Sequence, residues 1–348
     1  MKCEILTFQF AHNYGAALQC YALKKYLESK NISAAVSDFV PDSVKNTYAL
    51  WPRLYTKNPV VYFKEILRSF RRMKQYKIFN SFISQELISE QHDEPIDYLV
   101  IGSDQVWNEE ITGKISKYYG SDYYDVKKIS YAGSFGTSKL TDFQKKNIEQ
   151  YFPTFENISL RELCNVQEVK DISKANVDCV LDPVFLLERK KWSEFGVNPG
   201  LNKNEKYILY YSLRQDNYLV NEVIRLSKKY NCKVYAIHPT CIKMNKEFVQ
   251  LNDIGPKEFV YLIENAYLIG TNSFHAVSFA SIFGKKVMYK SYSKNESRVP
   301  NILSYYGLEF EENNTKIYDF EKCDCTNIKI KLEESKEFLC CSLGIKDE

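Results

Sequence analysis

AYLIGTNSFHAVSFASIFGKKVMYK, residues 266–290, reads as a complete strand–helix–strand unit. The apolar run AYLIG gives way to Thr271, Asn272 and Ser273, each a residue type that caps a helix. The KKVMYK that follows the helix reads as a second strand, and strands joined through a helix lie parallel. His275 falls in the first helical turn, beside Phe274. That turn leaves backbone N–H groups free and carries partial positive charge, which suits a phosphate or carboxylate. The same charge favours neutral imidazole, which can act as a general base near pH 7. The plain alternative is a satisfied histidine with Phe274 and Phe279 packing below it.

The same rhythm extends outward. YILYYSL (207–213), the helical NYLVNEVIRLSKKYN (217–231), CKVYAIH (232–238) and the helical GPKEFVYLIENA (255–266) precede the unit. Towards the N-terminus, Cys3–Phe8, a helix over 13–31 and a strand at Ala34–Phe39 open a second β-α-β series. Strands at Asp97–Ile101 and Lys128–Tyr131 continue it, and SLREL (159–163) and CVLDPVFLL (179–187) are further strand-and-loop units. The expected fold is α/β: two Rossmann-like doubly wound domains facing a cleft. The boundaries expected are 1–195 (with an insertion at 41–93), 205–330, and a C-terminal helix and tail at 331–348. Residues 188–204 read as the polar linker.

The chain's 348 residues suit two domains, and its net charge of +3 is no nucleic-acid signature. MKCEILTFQF turns polar too soon for a signal peptide, and no window is long and apolar enough for a membrane span. The ten cysteines lack a zinc-like pattern and read as reduced thiols of a cytoplasmic protein. The insertion carries the basic segment KEILRSFRRMKQYKIF (64–79). Over 63–79 it can be a peripheral contact with an anionic membrane surface, or a solvated helix covering one domain edge.

Polar residues recur at the C-terminal ends of the expected strands, where open α/β sheets bind ligands. They are Asn13, Tyr14 and Gly15; Asp104, Trp107 and Asn108; Arg161; Asp182; Arg214; and Asn272, Ser273 and His275. Dinucleotide, P-loop and nucleophile-elbow motifs are absent, and no spacing suggests a metal or a cofactor.

Taken in order, NYGAALQCYAL (13–23), IGSDQVWN (101–108), SYAGSFG (130–136), SLRE (159–162), DPVFLL (182–187) and TNSFHAVSFASIFGKKV (271–287) resemble the polysaccharide pyruvyl transferase family. The resemblance implies a GT-B-like fold. It also implies transfer of a pyruvyl group from phosphoenolpyruvate, as co-substrate, to a sugar of a bacterial surface polysaccharide such as capsule or exopolysaccharide, forming a ketal. Under it, His275 transfers a proton or binds phosphate, and Asp104 meets acceptor hydroxyls. Arg161, Arg214, Arg298, Asn272 and Ser273 become candidate donor ligands. Asn13, Tyr14, Gly15, Asn108 and a stacking Trp107 become candidate acceptor ligands, the acceptor being free or lipid-linked. Several branches of the family carry Arg-Leu-His where this chain has Ser273-Phe274-His275, so Arg298 is the candidate replacement for the missing cation. Two other readings remain: a nucleotide-sugar glycosyltransferase of GT-B type, and a catalytically silent sugar-binding member.

Overall fold

The computed structural model describes residues 1–51, 59–88, 95–291, 297–311 and 316–345. Parts of the insertion, 52–58 and 89–93, lie outside the described residues, as does the end of the tail. The first half runs β1 (Lys2–Leu6), α1 (Tyr14–Ser29), β2 (Ser33–Val36), α2 (Asp42–Tyr48), α3 (Pro59–Phe82) and β3 (Tyr98–Ile101). It continues with α4 (Glu109–Thr112), β4 (Lys127–Ser130), α5 (Asp142–Tyr151), β5 (Ile158–Leu160), α6 (Val166–Ser173) and β6 (Val177–Cys179). The strands are short and mostly buried, as a sheet covered by helices on its faces requires. They pair in parallel in the order β2-β1-β3-β4, and isolated bridges such as Gly133 to Leu160 carry the sheet on to β5 and β6.

The second half runs α7 (Arg189–Phe195), β7 (Tyr207–Tyr211), α8 (Asn217–Tyr230), β8 (Lys233–Ile237), β9 (Val249–Gln250) and α9 (Pro256–Asn265). Then come β10 (Leu268–Thr271), α10 (Phe274–Ile282), β11 (Lys286–Tyr289), α11 (Arg298–Tyr305), β12 (Ile317–Asp319) and α12 (Thr326–Ser342). Its sheet order is β12-β11-β10-β7-β8-β9, with only β12 antiparallel to its neighbour. The expected strand–helix–strand at 266–290 is β10-α10-β11, and Ser273 is the N-cap, its Oγ accepting from Ala276 N.

Three stretches differ from expectation. Residues 189–195 are helical rather than linker, because Trp192 is fully buried, donates from Nε1 to Val184 O at 2.9 Å and packs 4.9 Å from Phe279. Burying one such side chain is worth about 1.5–3 kcal/mol, enough to order a short helix. The tail helix starts at Thr326 and returns to the first half, where Ser335 Oγ accepts from the buried Leu181 N at 3.0 Å. The basic helix covers no mere edge: α3 bridges both halves. Gln75 Nε2 donates to the Tyr14 hydroxyl (2.9 Å) and to His238 O (3.1 Å), while Lys74 pairs with Asp253 at 2.7 Å. One apolar cluster accordingly runs from Ile5, Leu23 and Ile129 to Leu209, Ile269 and Val287.

Candidate active site

Two helix N-termini meet where the C-terminal ends of the sheets face each other. Asn13 caps α1, its Oδ1 accepting from Gly15 N at 3.0 Å. Ser273 caps α10 from the opposite half. Gly15 is there because α10 comes so close: a Cβ at this position would lie 2.8 Å from the His275 Cβ and closer still to the ring. Between the two ends is a cavity of about 150 Å³, walled by Asn13, Asp104, Asn272, Ser273, His275 and Arg298 over an apolar floor that includes Ala11, Ala16 and Val44. The first-turn N–H groups of Tyr14, Phe274 and His275 have no hydrogen-bond partner among the described residues. Such groups attract anions.

His275 stands with its Nε2 3.4 Å from Asp182 Oδ2, an ion-pair distance when the imidazole is protonated. Yet Nε2 is buried and makes no hydrogen bond within the described residues. Asp182 is the hub behind it. Its carboxylate takes Arg161 Nη1 at 2.7 Å, Ser103 Oγ at 3.3 Å and Val184 N at 3.1 Å. Burial alone would raise the Asp182 pKa, but His275, Arg161 and the Val184 amide outweigh it and hold the group well below the usual carboxylate range. Arg161 also lies 3.5 Å from Asp104 Oδ1, so its charge is largely spent inside the cluster. Asp104 sits at φ +68°, a left-handed conformation that Asp tolerates better than most residues, and this turns it to the cavity wall.

The Phe274 ring gathers two guanidinium groups, Arg161 at 4.7 Å and Arg298 at 5.5 Å from its centroid. Arg298 lines the cavity and Arg161 does not. Arg298 therefore stands on the wall that Ser273 shares.

A family model described as polysaccharide pyruvyl transferase matches residues 13–294. The chain belongs to the polysaccharide pyruvyl transferase family. No curated protein sequence shows significant similarity to this family member. Among solved structures, a UDP-N-acetylglucosamine 2-epimerase from Rickettsia bellii is similar at TM-score 0.53 and 10% identity, over 99% of this chain and 96% of that one. A putative UDP-N-acetylglucosamine 2-epimerase from Listeria monocytogenes is similar at TM-score 0.51 and 10% identity, over 97% and 87%. At such identities the likeness is one of fold, the two Rossmann-like units of the GT-B arrangement.

Several family-motif residues do other work than the sequence suggests. Trp107 offers no stacking face: it is buried, donates from Nε1 to Tyr118 O at 2.8 Å, and packs against Phe135 and Phe152 in the first core. Tyr14 is also buried, stacked on Phe259 with ring centroids 4.7 Å apart, its hydroxyl donating to Ile254 O; it pins the two halves together. Asn108 caps α4 and donates to Gln105 Oε1 instead of lining the cavity. Asn272 lines it, but its amide is committed to the backbone, accepting from Leu213 N and donating to Arg214 O, each at 2.8 Å. The Arg214 side chain is exposed and outside the cavity wall.

One wall residue, Tyr48, carries no motif signal. It ends α2, where Arg72 holds the carbonyls of Tyr48 and Ala49, both at 3.0 Å. Burial, followed by the nearby Asp104 charge, pushes its pKa up to about 12, so it stays a phenol. Among the described residues no group of His, Cys, Asp and Glu could hold a metal ion. All ten cysteines are unbonded.

Proposed function

We propose that this protein transfers the pyruvyl group of phosphoenolpyruvate to a sugar of a bacterial surface polysaccharide precursor, forming a pyruvate ketal. The observation that carries the reading is a small cavity that brings His275, backed by the Asp182 carboxylate, together with Arg298 and two helix N-termini. About 150 Å³ is below the roughly 300–1,000 Å³ of pockets for drug-sized ligands. That suits a compact dianion better than a nucleotide sugar. In this scheme Arg298 and the helix ends bind carboxylate and phosphate. Protonation of C3 by His275 leaves C2 oxocarbenium-like. A sugar hydroxyl adds at C2, phosphate departs, and a second hydroxyl closes the ketal. Of the two hydroxyl protons, one balances the proton gained at C3 and the other leaves with phosphate. Asp104 receives a hydroxyl proton at the cavity wall.

The test is thermal stabilisation by phosphoenolpyruvate, UDP, GDP and CMP, on wild type, Arg298→Gln and His275→Ala. Phosphoenolpyruvate alone should stabilise the wild type, Arg298→Gln should lose most of that shift, and His275→Ala should release no phosphate with acceptor present. Stabilisation by a nucleotide and not by phosphoenolpyruvate overturns the proposal in favour of a glycosyltransferase.

We also place the reaction at the cytoplasmic membrane face. Val60, Phe63, Leu67 and Phe70 are exposed at helical spacing on α3, with the exposed Lys64, Arg71, Lys74 and Lys77 on the same helix. Apolar contact with nearby cations fits an anionic bilayer surface. No helix among the described residues is long and apolar enough to cross a membrane. Flotation with anionic but not neutral vesicles, lost in Phe63→Ser/Phe70→Ser, is the expected outcome. Equal recovery with both vesicle types rejects it.

A further inference from the structure

Beside the small cavity lies a far larger hollow of about 1,090 Å³, walled mostly by the inserted segment and completed by Phe10, His12, Asp38 and Val40. The two share one wall residue, Tyr48. It lines the small cavity with Asn13, while its ring lies 6.1 Å from that of His12, which belongs to the large one. We propose that this hollow seats the acceptor as an oligosaccharide, with Tyr48 marking where the sugar to be modified passes into the donor cavity. The proposal rests on the pyruvyl-transfer reading for the reaction, though the binding itself does not require it.

The lining has the two-sided chemistry of a sugar site. Sugar rings present a C–H face and a hydroxyl rim. Phe10, Tyr76 and the exposed Trp51 supply apolar and aromatic surface, and Asp38, Lys45 and Asn80 supply hydrogen-bonding groups. The histidine network sets the polarity of Asn80. Arg72 Nη2 lies 3.0 Å from His12 Nδ1, and arginine can only donate, so Nδ1 accepts and Nε2 carries the proton. Nε2 then donates to Asn80 Oδ1 at 2.9 Å. The Asn80 amide N–H₂, which has no partner among the described residues, is left to donate to a ligand. A volume just above the drug-sized range has room for more than one sugar ring. A polyprenyl chain would want an unbroken apolar lining, which the carboxylate of Asp38 and the ammonium of Lys45 interrupt.

The chain has three tryptophans, and Trp107 and Trp192 are buried, so Trp51 is the solvent-accessible fluorophore and stands on the hollow itself. The experiment probes the full-length protein with an array of bacterial surface oligosaccharides. Hits are then titrated by tryptophan fluorescence and acrylamide quenching, with decaprenyl phosphate in detergent as the comparison ligand. We expect at least one oligosaccharide to bind and shield Trp51. Asp38→Ala, an exposed change, should weaken that binding by about tenfold, as expected for one hydrogen bond to a charged group. The thermal shift with phosphoenolpyruvate should stay unchanged in Asp38→Ala. No glycan bound anywhere on the array, glycan binding indifferent to Asp38→Ala, or shielding by decaprenyl phosphate alone each overturns the proposal. Glycan binding through Trp51 without any phosphoenolpyruvate shift would sink the donor assignment and leave the acceptor hollow standing.

Discussion

Gly15→Ala tests whether α1 and α10 are as close as the cavity requires. Alanine in a helix is normally up to about 0.5–1 kcal/mol better than glycine. Here the new Cβ would stand 2.8 Å from the His275 Cβ. Carbon atoms rest at about 3.5–4.0 Å, so the two must part by at least about 0.7 Å. The His275 Cβ is fixed to the α10 backbone, and no turn of the imidazole relieves the contact. Overpacking of this kind costs about 1–3 kcal/mol, so Gly15→Ala should destabilise the wild type by about 1 kcal/mol net. In a His275→Gly background the obstacle is gone, and the same change should stabilise by up to about 1 kcal/mol. The sign reversal is read from urea midpoints at constant m-value across the four proteins of the cycle. A displaced His275 should also lower phosphate release, since a 1 Å misplacement can cost about 10²-fold. Equal stabilisation by Gly15→Ala in both backgrounds would refute the close approach.

Asp182→Asn removes a charge from buried Arg161 and should cost about 3 kcal/mol, the low end of the range because Asp104 remains; calorimetry reads it. His12 and His238 are each lowered to about 4 from 6.5, chiefly by burial, with Arg72 adding for both. Their contribution is intact above pH 6.5 and is lost as pH falls from 6.5 to about 4, by up to about 3 kcal/mol each. Urea midpoints at pH 7, 5.5 and 4.5 should therefore fall steeply, and a flat series contradicts buried neutral histidines. Ser335→Ala strands the buried Leu181 amide and should cost about 1–3 kcal/mol in thermal unfolding.

The strands and the α10 unit are legible because apolar runs bounded by polar residues leave little alternative for YLVI, YILYY or AYLIG. The line-up of His275 with Asn13 and Gly15 follows from that topology. The rest depends on contacts between residues remote in sequence. Asp182 stands out only as a polar residue after a strand, and nothing local says that Arg161, Ser103 and His275 all converge on it. Trp107 looks like a ligand because of where its strand ends. The signal against this lay in the small-residue run SYAGSFG, whose Gly133 leaves the space the indole fills. Tyr48 is silent because α2 has no strong periodicity and is held in place by Arg72 from another helix.

The apolar cluster common to both Rossmann-like units bears on how the molecule comes apart. With Tyr14 stacked on Phe259, α3 spanning the junction and α12 folded back on the first half, neither unit carries a closed surface of its own. A fragment ending near residue 195 would bare the side of α1 that meets α9, together with the seat of α12. The protein should therefore melt in a single calorimetric peak, and a half expressed alone should aggregate.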